Sequence, residues 1–386
     1  MTPISIYIHW PFCLSLCPYC DFNSHLTDSI DHDAWLNAYK IEIDYFADRI
    51  KGRFVRSIFF GGGTPSLMKP EVVAGIIAKI ASLAEISDLT EITLEANPTS
   101  FEIQKFKEFR AAGINRVSIG VQSLQQDGLE LLGRKHSAKN AIYAIESAAK
   151  IFDRYSFDLI YAIPKQNLKQ WQDELKFAFT LAGGHISLYQ LTIEKGTPFY
   201  KLFKNGELPL PSNDLAANMY EWTNEFLLAQ NYKRYEISNY AMVGHECIHN
   251  LCYWNYDEYI GIGPGAHGRL HDTDGISAVM MTHKPEKWLQ MVLENGCGIQ
   301  TQANLSKQEI IEEAFMMGTR LEEGILESKF YQLTNTNFAQ ILNQKTTDHY
   351  IKQSLVSIQN GRFKLTSKGL ILHNYLVSRM LGREFK

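Results

Sequence analysis

Six times between the N-terminus and residue 230, a short β-branched apolar segment is followed by a longer one whose apolar residues recur at helical spacing. The strand candidates are residues 4–9, 55–60, 91–96, 116–122, 157–163 and 185–191. Between them lie helix candidates, such as the one that sets Ala138, Ile142, Ile145, Ala149 and Phe152 on one face. Strands separated by helices are joined by crossovers rather than hairpins, so the pattern predicts an α/β fold with a mostly parallel sheet and helices packed outside it. Either an open sheet or a partial (β/α)6 barrel satisfies it. With 386 residues, 45% of them hydrophobic, the chain has ample material for such a core and for two or three domains.

Parallel barrels collect their chemistry at the carboxyl ends of the strands, so functional motifs are expected where strand candidates stop. Five do so. The first strand runs into Pro11-Phe12-Cys13-Leu14-Ser15-Leu16-Cys17-Pro18-Tyr19-Cys20-Asp21-Phe22, the second into Gly61-Gly62-Gly63-Thr64-Pro65. Glu95 ends the third, Gln122 ends the fourth and Asp158 lies in the fifth. Consecutive glycines let backbone approach a ligand closely. Carboxylates accept hydrogen bonds from hydroxyls or an ammonium, and Gln both donates and accepts.

Cys13, Cys17 and Cys20 stand in C-x3-C-x2-C spacing, while Cys247, Cys252 and Cys297 are distant in sequence. This clustering points to a metal site in a reducing compartment rather than to a disulfide framework. Three thiolates on one loop suit a [4Fe–4S] cubane with one iron left without a protein ligand. A closed zinc site completed by His9 or His25 is the competing reading, and would make the chain a metal-stabilised binding module.

Residues 1–230 are therefore expected to form the barrel. Residues 231–300 form an extension read as loop-rich, because residues 232–268 abound in Tyr, Asn, His and Gly without a clear period. Residues 301–386 turn helical, with a short strand at Arg362–Leu365 and a last apolar helix, and are expected to form a small winged-helix-like α+β domain. Eleven basic against eight acidic residues leave that domain at +3, and the whole chain at −4, so no nucleic-acid partner is indicated. The N-terminus lacks the basic and long apolar stretches of a signal peptide, and the most apolar helix candidate is too short to span a bilayer; a cytoplasmic protein is expected.

The C-x3-C-x2-C string with an aromatic residue before its last Cys resembles the radical S-adenosylmethionine (SAM) signature. That resemblance implies that SAM chelates the open iron and that the reduced cluster can cleave its sulfonium to a 5′-deoxyadenosyl radical. Within the superfamily the chain is similar to the coproporphyrinogen oxidase branch, the HemN/HemW group, through Tyr7-Ile8-His9, Gly62-Gly63-Thr64, Glu95, Gln122, Gly133-Arg134 and Asp158-Leu159-Ile160-Tyr161. The resemblance implies that Tyr7, Tyr19, Gly62, Gly63, Thr64, Glu95, Gln122, Arg134 and Asp158 line the SAM site. Arg134 rests on it alone, since a lone Arg after a helix is ordinarily solvated.

Two departures separate the branches. The dehydrogenases that oxidatively decarboxylate coproporphyrinogen III carry a further cysteine two residues after the cluster's last, where this chain has Phe22. His249-Asn250-Leu251-Cys252-Tyr253-Trp254 resembles the H-N-x-x-Y-W mark of HemW-type heme chaperones, whose histidine is implicated in heme binding. Imidazole is a good axial ligand for heme iron, and Tyr253 and Trp254 can cover a porphyrin face. Cys247 and Cys252 are rival thiolate ligands, a buried hydrogen-bonded His249 is the plainer alternative, and Gly261-Ile262-Gly263-Pro264-Gly265-Ala266-His267-Gly268 supplies a further candidate histidine. The expected function is that of a heme chaperone carrying a SAM-coordinated cluster, without dehydrogenase activity; oxygen-independent coproporphyrinogen III dehydrogenase is the alternative. Its partners, by resemblance, are heme-acceptor proteins, a flavodoxin or ferredoxin electron donor and, transiently, membrane-bound acceptor enzymes.

Overall fold

Ile4, Ile6, Ile8 and Trp10 are fully buried along a strand whose other residues, Tyr7 apart, are buried too, as a strand covered on both faces requires. This strand, β1 (Ile4–Trp10), is followed in order by β2 (Val55–Gly62), β3 (Glu91–Ala96), β4 (Arg116–Gln122), β5 (Arg154–Tyr161) and β6 (His185–Gln190). Each pairs in parallel with the next, with helices in every crossover, so the six make the (β/α)6 partial barrel expected from the alternation. The structure is a computed structural model describing residues 2–27, 29–273 and 275–382; Met1, Asp28, Asp274 and residues 383–386 of the expected domains lie outside the described residues.

Local differences from the sequence reading have physical causes. β5 begins at Arg154 rather than Phe157 because its first residues pair with β4 despite their polarity, and it stops at Tyr161, where Ala162 takes a φ of 55°. Helix α1 (Ala138–Ile151), capped by the Ser137 side chain, buries Ala141, Ala144, Ile145 and Ala148, whereas Ala149 is exposed. Its period is as read but its face is turned by about one position, since alanines mark both stripes equally.

Residues 232–268, read as loop-rich, carry five short elements that enlarge the same sheet or pack on it. β7 (Lys233–Glu236) and β8 (Asn239–Ala241) extend the β6 edge antiparallel. Helix α2 (Ile248–Trp254) packs on β2, and β9 (Tyr259–Ile262) pairs in parallel with β1 at the opposite edge. β10 (His267–Asp272), β11 (Gly275–Met281) and β12 (Ile299–Asn304) continue that edge as an antiparallel meander, giving a twelve-stranded mixed sheet. β7, β8 and β9, with three or four residues each, are too short to display a period.

The C-terminal region begins with α3 (Lys307–Gly318), held by a reciprocal Ser306–Glu309 cap. β13 (Ile325–Leu326), β14 (Val356–Gln359) and β15 (Arg362–Leu365) form a small antiparallel sheet in which the β14–β15 hairpin is the wing, and α4 (His373–Leu381) closes the fold. Phe315, Phe330, Phe338 and Phe363 centre its separate core. Arg269 grips Glu313 through two hydrogen bonds of 2.9 and 3.0 Å, and Lys329 reaches Asp257 at 2.8 Å, fastening this region against β10 and α2.

Candidate functional site

The cysteine loop leaves β1 and folds across the carboxyl ends of the strands. A two-residue parallel pairing between Phe12–Cys13 and His25–Leu26 ties its two ends together. The glycines at the end of β2 pack against this loop on one side and border the space beyond the strand ends on the other. A Cβ on Gly62, whose φ is 111°, would lie 2.6 Å from the His9 ring, and one on Gly63 would lie 2.7 Å from the Phe12 carbonyl oxygen. Gly63 and Thr64 donate their N–H groups to the carbonyls of Trp10 and Phe12, so the glycine turn and the cysteine loop form one backbone-bonded layer.

That layer and the strand ends enclose a cavity of about 340 Å³. Cys13, Cys17, Cys20, Tyr19, Gly62, Gly63 and Thr64 line one side of it, and Glu95, Gln122, Arg134 and Asp158 line the other. Tyr7 is the exception among the expected SAM residues. It sits three residues below the end of β1, where its ring stacks on Phe59 and its hydroxyl meets His9 Nδ1 at 3.0 Å, and it lines a neighbouring cavity instead.

Arg134, expected only by resemblance, is locked into the cavity wall. Its Nη1 donates to Cys17 Sγ at 3.2 Å, and its Nη2 donates to Asn97 Oδ1 at 2.5 Å and to the Gly120 carbonyl at 2.9 Å. Gly133, at φ 68°, passes so close to Pro18 that a Cβ there would meet the ring at 2.7 Å, which explains the Gly-Arg pair. Asn97 escaped the sequence reading. Its Nδ2 donates to Thr64 Oγ1 at 3.0 Å, and Thr64 Oγ1 donates to Cys13 Sγ at 3.4 Å, so a relay joins two cysteines through Thr64, Asn97 and Arg134. The available signal was its position two residues after Glu95 at a strand end.

The carboxyls opposite the cysteines are strongly perturbed. Burial, with the Asp158 charge beside it, pushes Glu95 up to about 8 even though the Gly62 N–H donates to it at 3.2 Å. Burial raises Asp158 to about 6, against the pull of Ser187, Arg116 and Ser118. A cationic ligand between them would bring both to the ionised state. Gln122 holds a φ of 70°, a strained conformation for a residue with a Cβ, at the strand end facing this space.

The donor set fits a cubane. Burial raises the thiols of Cys13 and, to about 11, Cys20, while Thr64 and Arg134 offer the hydrogen bonds that a thiolate ligand accepts. Among the described residues no three His, Cys, Asp or Glu side chains close around a single ion, whereas cubane thiolates each bind a separate iron. His9 is engaged at both ring nitrogens, by Tyr7 and by the Asn23 carbonyl, His25 bonds Asn23 Oδ1 through Nε2 at 3.0 Å, and neither ring lines the cavity with the three cysteines.

A second cavity of about 570 Å³ adjoins the first, and Phe22, Gly62 and Glu95 line both. Its walls come from β1, β2, α2, β9, β10 and α3: Tyr7, Phe59, His249, Tyr253, Trp254 and Tyr259 on the barrel side, Glu313 and Met317 on the C-terminal side, and His267, exposed, within its lining. His249 is 1% exposed and burial drives its pKa down to about 3, so the imidazole is neutral. Its Nδ1 meets Ser57 Oγ at 2.8 Å and its Nε2 meets the Tyr253 hydroxyl at 2.7 Å. Its backbone N–H donates to Glu91 Oε1 at 3.2 Å, and the same oxygen receives the Cys247 thiol at 3.4 Å, while Arg154 pairs with the other carboxylate oxygen at 2.9 Å. Glu91, not singled out in the sequence, thus holds the start of α2. Cys247 and Cys252, the rival heme ligands, line neither cavity, and burial pushes both thiols up to about 12.

Residues 7–178 match the radical SAM superfamily and residues 305–372 the HemN C-terminal domain. The chain is 37% identical to the heme chaperone HemW of Haemophilus influenzae over 100% of its own length and 99% of the relative, and 34% identical to that of Escherichia coli over 99% of each. It is 36% identical to the mitochondrial radical S-adenosyl methionine domain-containing protein 1 of Danio rerio, covering 95% of this chain and 82% of that one. The Escherichia coli coproporphyrinogen III oxidase HemN, a radical SAM enzyme, shares the fold, with a TM-score of 0.81 and 22% identity over 97% of this chain and 89% of that one. Among the described residues no helix is long and apolar enough to cross a membrane.

Proposed function

Because the chain belongs to the HemW family of the radical SAM superfamily, we propose that it is a heme chaperone, taking heme into the His249 cavity and passing it to acceptor proteins. Cys13, Cys17 and Cys20 hold a [4Fe–4S] cluster in this reading, and SAM occupies the open iron against Tyr19, Gly62, Gly63, Thr64, Glu95, Gln122, Arg134 and Asp158, with Tyr7 behind them. When bound, the reduced cluster supplies the electron that cleaves the SAM sulfonium. The remaining partners are a flavodoxin or ferredoxin donor and acceptors that include membrane enzymes, met in the cytoplasm.

The observation that carries the reading is the second cavity. It is lined largely by aromatic and imidazole rings, suited to a flat, apolar macrocycle, and it shares Phe22, Gly62 and Glu95 with the cavity beside the cysteines. The relatives named as heme chaperones align over the whole chain. Phe22 stands where a dehydrogenase has its additional cysteine, which argues against coproporphyrinogen III oxidation.

The test is an anaerobic titration of the cluster-reconstituted chain with hemin, read as the Soret difference spectrum, beside an assay of coproporphyrinogen III turnover. Saturable one-to-one binding without turnover is expected. Turnover with no saturable Soret change would overturn the reading in favour of the dehydrogenase.

A further inference from the structure

Three side chains from different parts of the fold line up through the His249 ring. Ser57, on β2, gives its single hydroxyl proton to Ser5 Oγ at 2.9 Å, so its oxygen can only accept at the 2.8 Å contact with His249 Nδ1. Nδ1 therefore carries the imidazole proton. The Nε2 lone pair is then the acceptor of the Tyr253 hydroxyl at 2.7 Å, one helical turn along α2. Phe59 stacks on the imidazole at 5.0 Å and 22°, and Tyr7 stacks at 6.2 Å and 30°, so the ring can neither flip nor tilt freely. Ser57 is fully buried, whereas Tyr253 lines the second cavity.

We propose that Ser57 is a positioning residue that fixes His249 as the Nε2-ligating tautomer, and that the Tyr253 hydroxyl is a displaceable guard which heme iron replaces. The exchange balances simply. The O–H to Nε2 hydrogen bond breaks, a coordinate bond from the Nε2 lone pair to iron forms, and the Nδ1 proton stays on the ring bonded to Ser57. No proton is released and no electron moves. This deepens the heme-chaperone reading and rests on it.

The guard explains why a ligand histidine rests fully hydrogen-bonded: a neutral imidazole in an apolar wall needs a partner on each nitrogen. It also gives the two bonds opposite roles. The Ser57 bond persists in the bound state and strengthens the ligand, as second-sphere acceptors do for metal-bound imidazoles. The Tyr253 bond exists only in the empty state and competes with iron.

The experiment is a hemin titration of the full-length, cluster-reconstituted chain and of Tyr253→Phe, Ser57→Ala, Ser57→Thr and His249→Ala, with Soret difference spectra and electron paramagnetic resonance of the ferric complex. Tyr253→Phe, which keeps the ring, is expected to bind hemin about three- to ten-fold more tightly, the reverse of what a merely structural role predicts. Ser57→Ala is expected to shift the resonance values of the ferric complex, and Ser57→Thr to restore them. Weaker or unchanged affinity in Tyr253→Phe, or a Ser57→Ala complex identical to the parent, overturns the proposal. A His249→Ala complex indistinguishable from the parent overturns it while leaving heme binding in place, whereas no saturable binding by the parent overturns this inference together with the chaperone reading.

Discussion

Arg134 donates a hydrogen bond to the sulfur of Cys17 at 3.2 Å, across 117 residues of sequence. If Cys17 is a cluster ligand as proposed, a guanidinium on it offsets the negative charge that reduction adds, and its two other bonds, to Asn97 and Gly120, keep it there. Arg134→Gln is therefore expected to preserve the fold while lowering the reduction potential and the iron retained after gel filtration. Anaerobic potentiometry and iron assay check this; an unchanged potential would mean that the contact has no electronic role.

Cys17→Ala removes one of only three proposed thiolate ligands. The expected outcome is loss of the brown, dithionite-bleachable absorption and of stoichiometric iron and sulfide, with the barrel still folded by circular dichroism. Retention of four irons per chain would show that the cluster, if present, is held elsewhere.

Glu95 makes stability depend on pH in a direction opposite to the usual carboxylate. Its folded pKa is about 8 against an ordinary 4.5, and Asp158 stands at about 6 against 3.8, both because of burial first. The folded chain thus keeps protons that the unfolded chain has already released, so the stabilisation is complete below the ordinary values and disappears as pH rises through about 6 and then about 8. Without SAM, the denaturation midpoint of Glu95→Gln should exceed that of the parent increasingly from pH 6 to pH 9, reaching the order of a few kcal/mol. A constant difference across that range would show that Glu95 is ionised in the empty cavity.

Glu91 is the buried anchor of α2, bonding the His249 N–H and the Cys247 thiol and pairing with Arg154. Glu91→Ala removes the carboxylate that pairs with Arg154 at 2.9 Å and faces Arg116 at 4.0 Å, at a cost of about 3–5 kcal/mol in unfolding free energy. Urea denaturation measures it. Hemin affinity should fall as well, because the helix carrying His249 loses its fixed start; a stable variant with parental affinity would contradict the anchoring role.

Much of the barrel was legible in the sequence. β3 and β4 match their expected bounds, and β1, β2 and β6 differ only at the carboxyl end, because a buried parallel strand writes its apolar run into contiguous residues. The C-x3-C-x2-C spacing was equally local, as was the placing of motifs at strand ends. The short strands β7, β8 and β9 were not legible, since three or four residues can show no period and the two edges they join are distant in sequence.

What the chain determines by itself is the order of strands and helices and which side chains arrive at the barrel mouth, because both follow from near-neighbour periodicity. Tertiary structure alone decided that Arg134 is buried against Cys17, that Glu91 holds α2, that Tyr7 lines the neighbouring cavity and that His249 lies between Ser57 and Tyr253. Each depends on a contact with a partner remote in sequence, as with Ser57 and His249, 192 residues apart. Such a contact exists only once the sheet order has brought β2 beneath α2, and no local pattern of residues encodes the direction of a hydrogen bond across that distance.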